Sequence, residues 1–298
     1  MVYRNGNTIV EIRNDGTKIR FVPDNVIANP EFPESIDLKI TNQCGVGCPQ
    51  CHECSTPDGE KGDLNHPLLD SLRPYTELAI GGGDPMTHPG LKAFLVKMRD
   101  KNVFCNLTVH WSSFLQYYST LKRWAKKSLI HGLGISVNEV VSENVIKKIM
   151  EFPTAVVHTI IGVAGIRAFE QLMDRDLNIL LLGYKTFGRG IDFKENNSLT
   201  VGTNMNWVQE HIGTFTDHFK TVAFDNKAID QVFLKKQMNP ETFNRIYMGD
   251  DGSFTMYVDL VKNKFAASSI SRRLDINSND ITDLFHTVKD ATFILHNY

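Results

Sequence analysis

The sequence predicts an α/β fold in which parallel strands, each followed by a helix, wind into an open barrel. Six strand-like segments alternate with helical ones between Ser35 and about Gly190, which is the order of a parallel sheet with crossover helices. Such crossovers are right-handed, so successive units curve in one direction. The length of 298 residues and the apolar content of 42% suit one large domain with a sizeable core.

The predicted strands are β-rich or apolar segments bounded by turn residues. In order they are Ser35 to Thr41, Thr76 to Ile80, Val103 to Val109, Gly132 to Val137, Thr154 to Gly162 and Asn178 to Leu182. Helical spacing of apolar residues occurs between them. The predicted helices are Pro67 to Leu72, Pro89 to Asp100, Phe114 to Lys127, and Glu143 to Met150 with Ser142 as its N-cap.

Both ends of the chain lie outside this alternation. Thr8 to Ile12 and Lys18 to Val22 flank Asn14-Asp15-Gly16, which predicts an N-terminal β-hairpin. After the barrel, the predicted elements are an amphipathic helix from Thr203 to Phe219, a hairpin from Arg245 to Val261 around Gly249 to Gly252, and a last helix through Val288. We therefore expect a hairpin and connector (1–34), a barrel (35–200) and a C-terminal α+β extension packed on the barrel (201–298).

Charge and hydropathy exclude several classes of protein. The net charge of −2 gives no strong signal for binding nucleic acid or an anionic membrane. No apolar run approaches the ~20 residues of a membrane span, and the N-terminus lacks the apolar core of a signal peptide. We expect a cytoplasmic protein in a reducing compartment.

Four of the five cysteines fall within eleven positions, in the segment ITNQCGVGCPQCHEC. Cys44, Cys48 and Cys51 have CxxxCxxC spacing, and thiolates on so short a loop can converge on one metal centre, either an iron–sulfur cluster or zinc. A zinc site would use Cys48, Cys51 and Cys54 with His52, although structural zinc sites usually pair two separated ligand hairpins.

The second predicted strand runs into Gly81-Gly82-Gly83-Asp84-Pro85. Three glycines at a strand end mark a place where the backbone passes close to another group. The phosphate-loop pattern GxxxxGK[ST] is absent, so a nucleotide site of that type is not expected. A simple glycine turn is the structural alternative.

Together, the CxxxCxxC loop, the GGGDP turn and the following His88-Pro89 pair resemble the radical S-adenosylmethionine (SAM) superfamily. The resemblance implies a partial (β/α)6 TIM-like barrel and a [4Fe-4S] cluster ligated by Cys44, Cys48 and Cys51. It also implies that SAM binds the open iron and is reductively cleaved to a 5′-deoxyadenosyl radical. Because no cysteine follows Cys105, an auxiliary cluster of the SPASM type is excluded by ligand count.

The same resemblance assigns further residues. Gly81, Gly82, Gly83 and Asp84 would hold the amino group of SAM, and Ser136 and Asn138 would contact its ribose or carboxylate. Two departures are visible: Asp84 stands where the family usually has Glu, and Gln50 where it has an aromatic residue that stacks on adenine, so that His52 is the substitute. Lys185 and Arg189 are expected to bind an anionic group of SAM or substrate.

The expected activity is hydrogen abstraction from a small molecule or a nucleotide, with a reductant such as flavodoxin or ferredoxin as partner. Modification of a peptide is the enzymatic alternative, and a non-catalytic iron–sulfur or zinc sensor is the alternative from another class. Two side chains are candidates for catalysis. Cys54 would act as a radical donor or relay, and His110 as a polar contact to substrate. The structural alternatives are that Cys54 is an incidental loop cysteine and that His110 is an ordinary histidine at a strand end.

Overall fold

The computed structural model describes residues 1–13 and 17–296. A three-stranded antiparallel sheet opens the chain, with β1 (Val2–Asn5), β2 (Thr8–Ile12) and β3 (Lys18–Phe21) in that order. The two predicted strands are confirmed, and β1 adds a third that pairs with β2 around Gly6. The predicted turn at Asn14 to Gly16 lies outside the described residues.

A ten-stranded sheet forms the main body. Its strands are β4 (Ser35–Thr41), β5 (Glu77–Gly82), β6 (Phe104–His110), β7 (Gly132–Ser136), β8 (Ala155–Ile160), β9 (Asn178–Leu182), β10 (Thr221–Phe224), β11 (Thr255–Asp259), β12 (Lys264–Ala266) and β13 (Leu274–Asp275). The spatial order is β10-β9-β8-β7-β6-β5-β4-β11-β12-β13, and every pairing from β10 to β11 is parallel. This curved sheet remains open, which confirms the predicted α/β partial barrel.

Helices follow the strands. They are α1 (Leu91–Asp100), α2 (Trp111–Lys126), α3 (Glu143–Met150), α4 (Ile166–Leu172), α5 (Arg189–Asn196), α6 (Ser198–His211), α7 (Phe215–His218), α8 (Asn226–Gln231), α9 (Leu234–Gln237), α10 (Pro240–Ile246) and α11 (Ile281–His296). Short 3-10 turns cover Pro67–Asp70, Pro85–Thr87 and Ile212–Thr214. Within the described ranges, no helix combines the length and apolar content needed to cross a membrane.

The strands alternate between two faces. On β4, Ile36, Leu38 and Ile40 are almost fully buried and belong to the core between sheet and helices. Because side chains alternate along a strand, Asp37 and Lys39 point to the opposite side, the barrel interior. The apolar faces of the helices therefore cover the outside of the sheet and leave polar side chains inside.

Several predicted elements differ in the structure. The hairpin predicted from Arg245 to Val261 is wrong: the chain is helical to Ile246, and β11 pairs with β12 on one side and in parallel with β4 on the other. The positive φ angles of Gly249 and Gly252 serve a turn that leads into β11. The helix predicted from Thr203 to Phe219 ends at His211, where a 3-10 turn containing Gly213 interrupts it.

Two smaller differences concern helix ends. Ser142 occupies the N-cap position of α3, but its side chain makes no capping hydrogen bond. The last helix continues past Val288 to His296.

Candidate functional site

The cysteine loop begins where β4 ends, at the carboxyl edge of the parallel strands. Its two ends are tied together, because the Cys44 N–H donates to the Thr56 carbonyl at 2.7 Å and the Thr56 N–H donates to the Asn42 carbonyl at 3.1 Å. Inside the loop, the Cys51 N–H donates to the Cys48 carbonyl at 3.3 Å. The three thiols are thus presented on one short, closed loop at the edge where active sites of α/β barrels lie.

All five cysteines are free. Cys44, Cys48 and Cys51 are partly buried, and Cys54 is exposed. Burial raises the pKa of the Cys44 and Cys48 thiols, and the charge of Cys51 raises both further. As thiolates the three side chains would repel one another, and a cationic partner would relieve that repulsion. In the described part of the chain, no three His, Cys, Asp or Glu side chains are gathered closely enough to hold a single metal ion.

The glycine turn is built against the start of the cysteine loop. The Gly83 N–H donates to the Thr41 carbonyl at 2.7 Å, and the Asp84 N–H donates to the Gln43 carbonyl at 2.8 Å. A Cβ on Gly83 would lie 2.3 Å from the Gln43 carbonyl oxygen. Gly82 has a φ angle of +110°, and a Cβ on it would lie 2.4 Å from the Thr41 carbonyl oxygen. By contrast, a Cβ on Gly81 would meet nothing within 4 Å, so this position faces open space.

Asp84 is buried at the end of this turn, with 8% of its surface exposed. Its Oδ1 accepts a hydrogen bond from the Met86 N–H at 3.0 Å, and its Oδ2 accepts one from the Ser113 hydroxyl at 2.5 Å. Both carboxylate oxygens therefore have partners within the chain. The charge of Asp84 also raises the pKa of Cys44, so the carboxylate lies beside the cysteine loop.

His110, Ser136 and Asn138 come from the next strand ends. The Nδ1 of His110 lies 2.8 Å from the Ser112 hydroxyl and accepts from the Ser112 N–H at 3.3 Å, so the ring caps α2. Burial lowers the pKa of His110, opposed by the charges of Glu139 and Asp84. Ser136 is partly buried and pairs in register with His110.

Asn138 bridges two strand ends. Its Oδ1 accepts a hydrogen bond from the Ile160 N–H at 2.7 Å, which ties the residues after β7 to the end of β8. The contacts predicted between SAM and Ser136 or Asn138 remain predictions.

A small pocket of about 50 Å³ lies between the cysteine loop and the ends of β8 and β9. Gln50 and His52 form one wall, and Ile160 and residues 182–185 form the other. Burial lowers the pKa of His52 to about 4, helped by the charge of Lys185. The imidazole is therefore neutral at neutral pH, which avoids the cost of a buried charge.

Arg189 has a role that differs from the predicted anion contact. Its Nε donates to the Cys48 carbonyl at 3.2 Å and its Nη1 to the Ser55 carbonyl at 3.1 Å. Its backbone N–H donates to the Cys51 carbonyl at 3.1 Å. Arg189 thus holds the cysteine loop, and Lys185, which we also expected to bind an anion, donates to the Ser269 hydroxyl at 3.0 Å.

A buried ionic network, which the sequence did not indicate, holds the other side of the loop. Glu53 lies between Cys51 and Cys54 and accepts from Lys39 Nζ at 2.5 Å, from Arg273 Nη2 at 3.1 Å and from the Tyr257 hydroxyl at 3.0 Å. Burial would raise the pKa of Glu53, but Lys39 and then Arg273 hold it below its ordinary value.

Asp259 completes this network. Its side chain is fully buried and lies 2.8 Å from Arg273 and 3.5 Å from Lys39. Two cations therefore balance two carboxylates. The network joins β4, the cysteine loop and the C-terminal strands, so the extension takes part in shaping the loop.

The barrel interior below the loop carries two further titratable groups. Burial lowers the pKa of His158 to about 4. Desolvation inside the barrel raises that of Asp37 to about 6, although the residue keeps more than a third of its surface exposed. A Cβ on Gly134 would lie 2.3 Å from the His158 ring, so the glycine on β7 makes room for the imidazole.

Comparison with solved structures yields several matches. SuiB of Streptococcus suis bound to the precursor peptide SuiA matches with a TM-score of 0.61 and 11% identity, over 89% of this chain and 67% of that chain. SuiB bound to S-adenosylmethionine matches with a TM-score of 0.57 and 12% identity, over 89% and 68%. A third match is anSMEcpe with bound AdoMet and the Cp18Cys peptide, with a TM-score of 0.51 and 11% identity, over 87% and 82%.

No protein-family model and no curated protein matches the chain. At identities this low, the likeness concerns the fold. It extends over 87–89% of this chain. The chain has the fold of the radical SAM enzymes.

Proposed function

We propose that this protein is a radical SAM enzyme with one [4Fe-4S] cluster bound by Cys44, Cys48 and Cys51. When bound, the cluster and SAM supply one-electron chemistry: SAM is cleaved to methionine and a 5′-deoxyadenosyl radical, which removes a hydrogen atom from a substrate. The chain itself must bind SAM, orient it and exclude water around one C–H bond.

One observation carries this proposal, the direct joining of the glycine turn to the cysteine loop. The hydrogen bonds from Gly83 to Thr41 and from Asp84 to Gln43 set the two motifs side by side at the carboxyl edge of the sheet. A metal-binding loop alone would not require a glycine turn packed against it. The pair supports a site in which a cluster and a second ligand share one surface.

By the chemistry of their donor atoms, the residues present suit both proposed cofactors. Three mutually repelling thiols are a soft donor set of the kind that binds iron–sulfur clusters. The open backbone at Gly81 leaves room for one end of SAM, and we propose that the adenine end lies against the small pocket at Gln50, His52 and Ile160. Because both oxygens of Asp84 are already hydrogen-bonded, we propose that Asp84 shapes the turn and acts on the SAM amino group through its charge.

The proposed substrate is a small molecule or a nucleotide that lies in the barrel interior near Asp37 and His158. A peptide is the second candidate, and a specific observation favours it. Two of the structural matches hold a peptide, SuiA in SuiB and Cp18Cys in anSMEcpe. A flavodoxin or ferredoxin is the proposed physiological reductant.

The test is anaerobic reconstitution with iron and sulfide, followed by reduction with dithionite and addition of SAM. We expect 5′-deoxyadenosine, detected by mass spectrometry, and its loss in Cys48→Ala. Cys105→Ala is the matched control, because Cys105 is buried in the core far along the chain from the loop and should leave the activity intact. A sample with a verified, reducible cluster that yields no 5′-deoxyadenosine, with or without candidate substrates, would contradict the proposal.

Metal content separates the enzyme from the zinc-binding alternative. The cluster proposal predicts that Cys54→Ser retains iron, because Cys54 is not among the three ligands. A zinc site made by Cys48, Cys51, Cys54 and His52 predicts the reverse, namely zinc in the wild type and its loss in Cys54→Ser. Elemental analysis of the wild type, Cys44→Ser and Cys54→Ser decides between the two ligand sets.

A further inference from the structure

Arg189 touches the cysteine loop at three points along its length. The guanidinium donates to the carbonyls of Cys48 and Ser55, and the backbone N–H donates to the carbonyl of Cys51. These three acceptors span the loop from its second cysteine to the residue after its last. A planar guanidinium with several fixed donors suits such a bridge better than a single ammonium group.

The chain before and after Arg189 fixes this position. Gly188 has φ +54, and a Cβ there would lie 2.5 Å from the His52 carbonyl oxygen and 2.7 Å from Cys54 Sγ, so the peptide lies directly on the loop. On the other side, the buried Tyr184 hydroxyl donates to the Gly190 carbonyl at 2.5 Å. Arg189 is therefore held by its neighbours as well as by its own hydrogen bonds.

The charge of Arg189 is not neutralised by an acid. Its acceptors are neutral carbonyls, and across residues 1–13 and 17–296 no carboxylate forms an ion pair with it at 4.0 Å or less. In the neighbouring network, Lys39 and Arg273 are matched by Glu53 and Asp259. Among the described residues, Arg189 is thus a fixed cation that contacts the loop and has no carboxylate partner.

We propose that Arg189 is a positioning residue that keeps the cysteine loop in its cluster-binding shape and raises the reduction potential of the cluster. This inference rests on the proposed function, since it requires that the loop binds a cluster. Reduction adds an electron to a centre already bound by three thiolates. A nearby cation and hydrogen bonds around the sulfurs are the means by which a protein favours the reduced state.

Other charges act in the opposite direction. Carboxylates near a cluster disfavour reduction, and Asp84 lies beside the loop, since its backbone N–H donates to the Gln43 carbonyl at 2.8 Å. Arg189 is the cation that directly contacts the loop backbone and opposes them. Removing it should therefore shift the balance towards the oxidised state.

The experiment uses the reconstituted full chain and compares Arg189→Gln, Arg189→Lys and Lys194→Gln. Lys194 is an exposed cation on the same helix and controls for net charge. The readouts are iron per chain and the midpoint potential from an EPR-monitored titration. For Arg189→Gln we expect about a tenfold smaller equilibrium constant for reduction, about 59 mV for one electron, and less iron. For Arg189→Lys we expect a potential near that of the wild type but less iron.

Lys194→Gln should match the wild type in both readouts. The inference is overturned when Arg189→Gln has the potential and iron content of the wild type. Should that variant fail to fold, Arg189→Lys decides, because an unchanged iron content would show that the two guanidinium contacts are not needed. A wild-type chain that takes up no iron would instead refute the proposed function, so the two failures are distinguishable.

Discussion

The Oδ2 atom of Asp84 accepts a hydrogen bond from the Ser113 hydroxyl at 2.5 Å, which ties the glycine turn after β5 to the first turn of α2. Both residues are buried. The acidic residue of the turn therefore has a structural role in the absence of any ligand, and its second oxygen caps the 3-10 turn at Pro85–Thr87.

Asp84→Ala should destabilise the unliganded protein. The substitution removes a capping bond and leaves the Ser113 hydroxyl buried without its acceptor, for a combined cost of about 2–3 kcal/mol. Ser113→Ala removes only the hydrogen bond between Ser113 and Asp84 and should cost about 1 kcal/mol. Denaturant unfolding measures both. Equal stability of Asp84→Ala and the wild type would mean that the carboxylate serves only a ligand.

Gly83→Ala and Gly81→Ala should behave differently although they lie two residues apart. A Cβ at position 83 would overlap the Gln43 carbonyl at 2.3 Å, whereas one at position 81 meets nothing within 4 Å. We expect Gly83→Ala to lower the melting temperature and the iron content. Gly81→Ala should keep both and weaken SAM binding, measured by calorimetry on the reconstituted protein. Unimpaired SAM binding in Gly81→Ala would remove Gly81 from the SAM site.

Lys39→Met should be strongly destabilising. The substitution leaves the buried carboxylates of Glu53 and Asp259 with Arg273 as their remaining cation, and breaking a buried ion pair costs about 3–5 kcal/mol. Lys264→Met is the matched control on β12, because Lys264 pairs with the largely exposed Asp275 and surface pairs contribute little. A Lys39→Met protein with the unfolding midpoint of the control would contradict the importance of the network.

His158 should make stability fall as the pH is lowered. Burial holds its folded pKa near 4, below the ordinary value of 6.5, so the unfolded chain binds more protons between these values. The free energy of unfolding therefore decreases from pH 6.5 down to 4, by up to about 3 kcal/mol.

Asp37 acts in the opposite sense in part of this window. Desolvation inside the barrel raises its pKa from 3.8 to about 6, so the folded chain binds more protons and stability falls as the pH rises from 3.8 to 6. Because Asp37 keeps more than a third of its surface exposed, solvent screening makes this fall small. We expect His158→Gln to remove the fall in stability towards low pH, and Asp37→Asn to remove the fall in stability between pH 3.8 and 6. Unfolding curves across this pH range check both, and a His158→Gln variant with the slope of the wild type would exclude His158 as the source.

The sequence predicted the parts of the fold that have local signals. Six barrel strands, their helices and the position of the cysteine loop at a strand end follow from apolar periodicity and glycine placement, and the structure confirms the strands. The four-residue strand β10 was missed because four residues show no clear period. The hairpin predicted at Arg245 was wrong because Gly249 and Gly252 resemble a hairpin turn, while Asn239, whose side chain caps α10, was the overlooked signal.

The candidate site was only partly predictable for a different reason. The cysteines and glycines form motifs that can be read along the chain, although their roles remain predictions. Arg189 contacts the Cys48 carbonyl across 141 residues, and Arg273 contacts Glu53 across 220. Such contacts depend on which strands become neighbours, above all β11 beside β4, and that pairing has no signature in either segment.

Two of the residues that contact Glu53 are synthesised long after the cysteine loop itself. Tyr257 and Arg273 follow Glu53 by 204 and 220 residues. At a ribosomal rate of about 5–20 residues per second, the nascent cysteine loop waits about 10–45 s for the last of them. During that interval the thiols can react with oxidants or bind other metal ions, because the contacts of Tyr257 and Arg273 that hold the loop have not yet formed. If the loop binds a cluster as proposed, the loop that receives iron and sulfide has all its contacts only after the C-terminal strands have been translated.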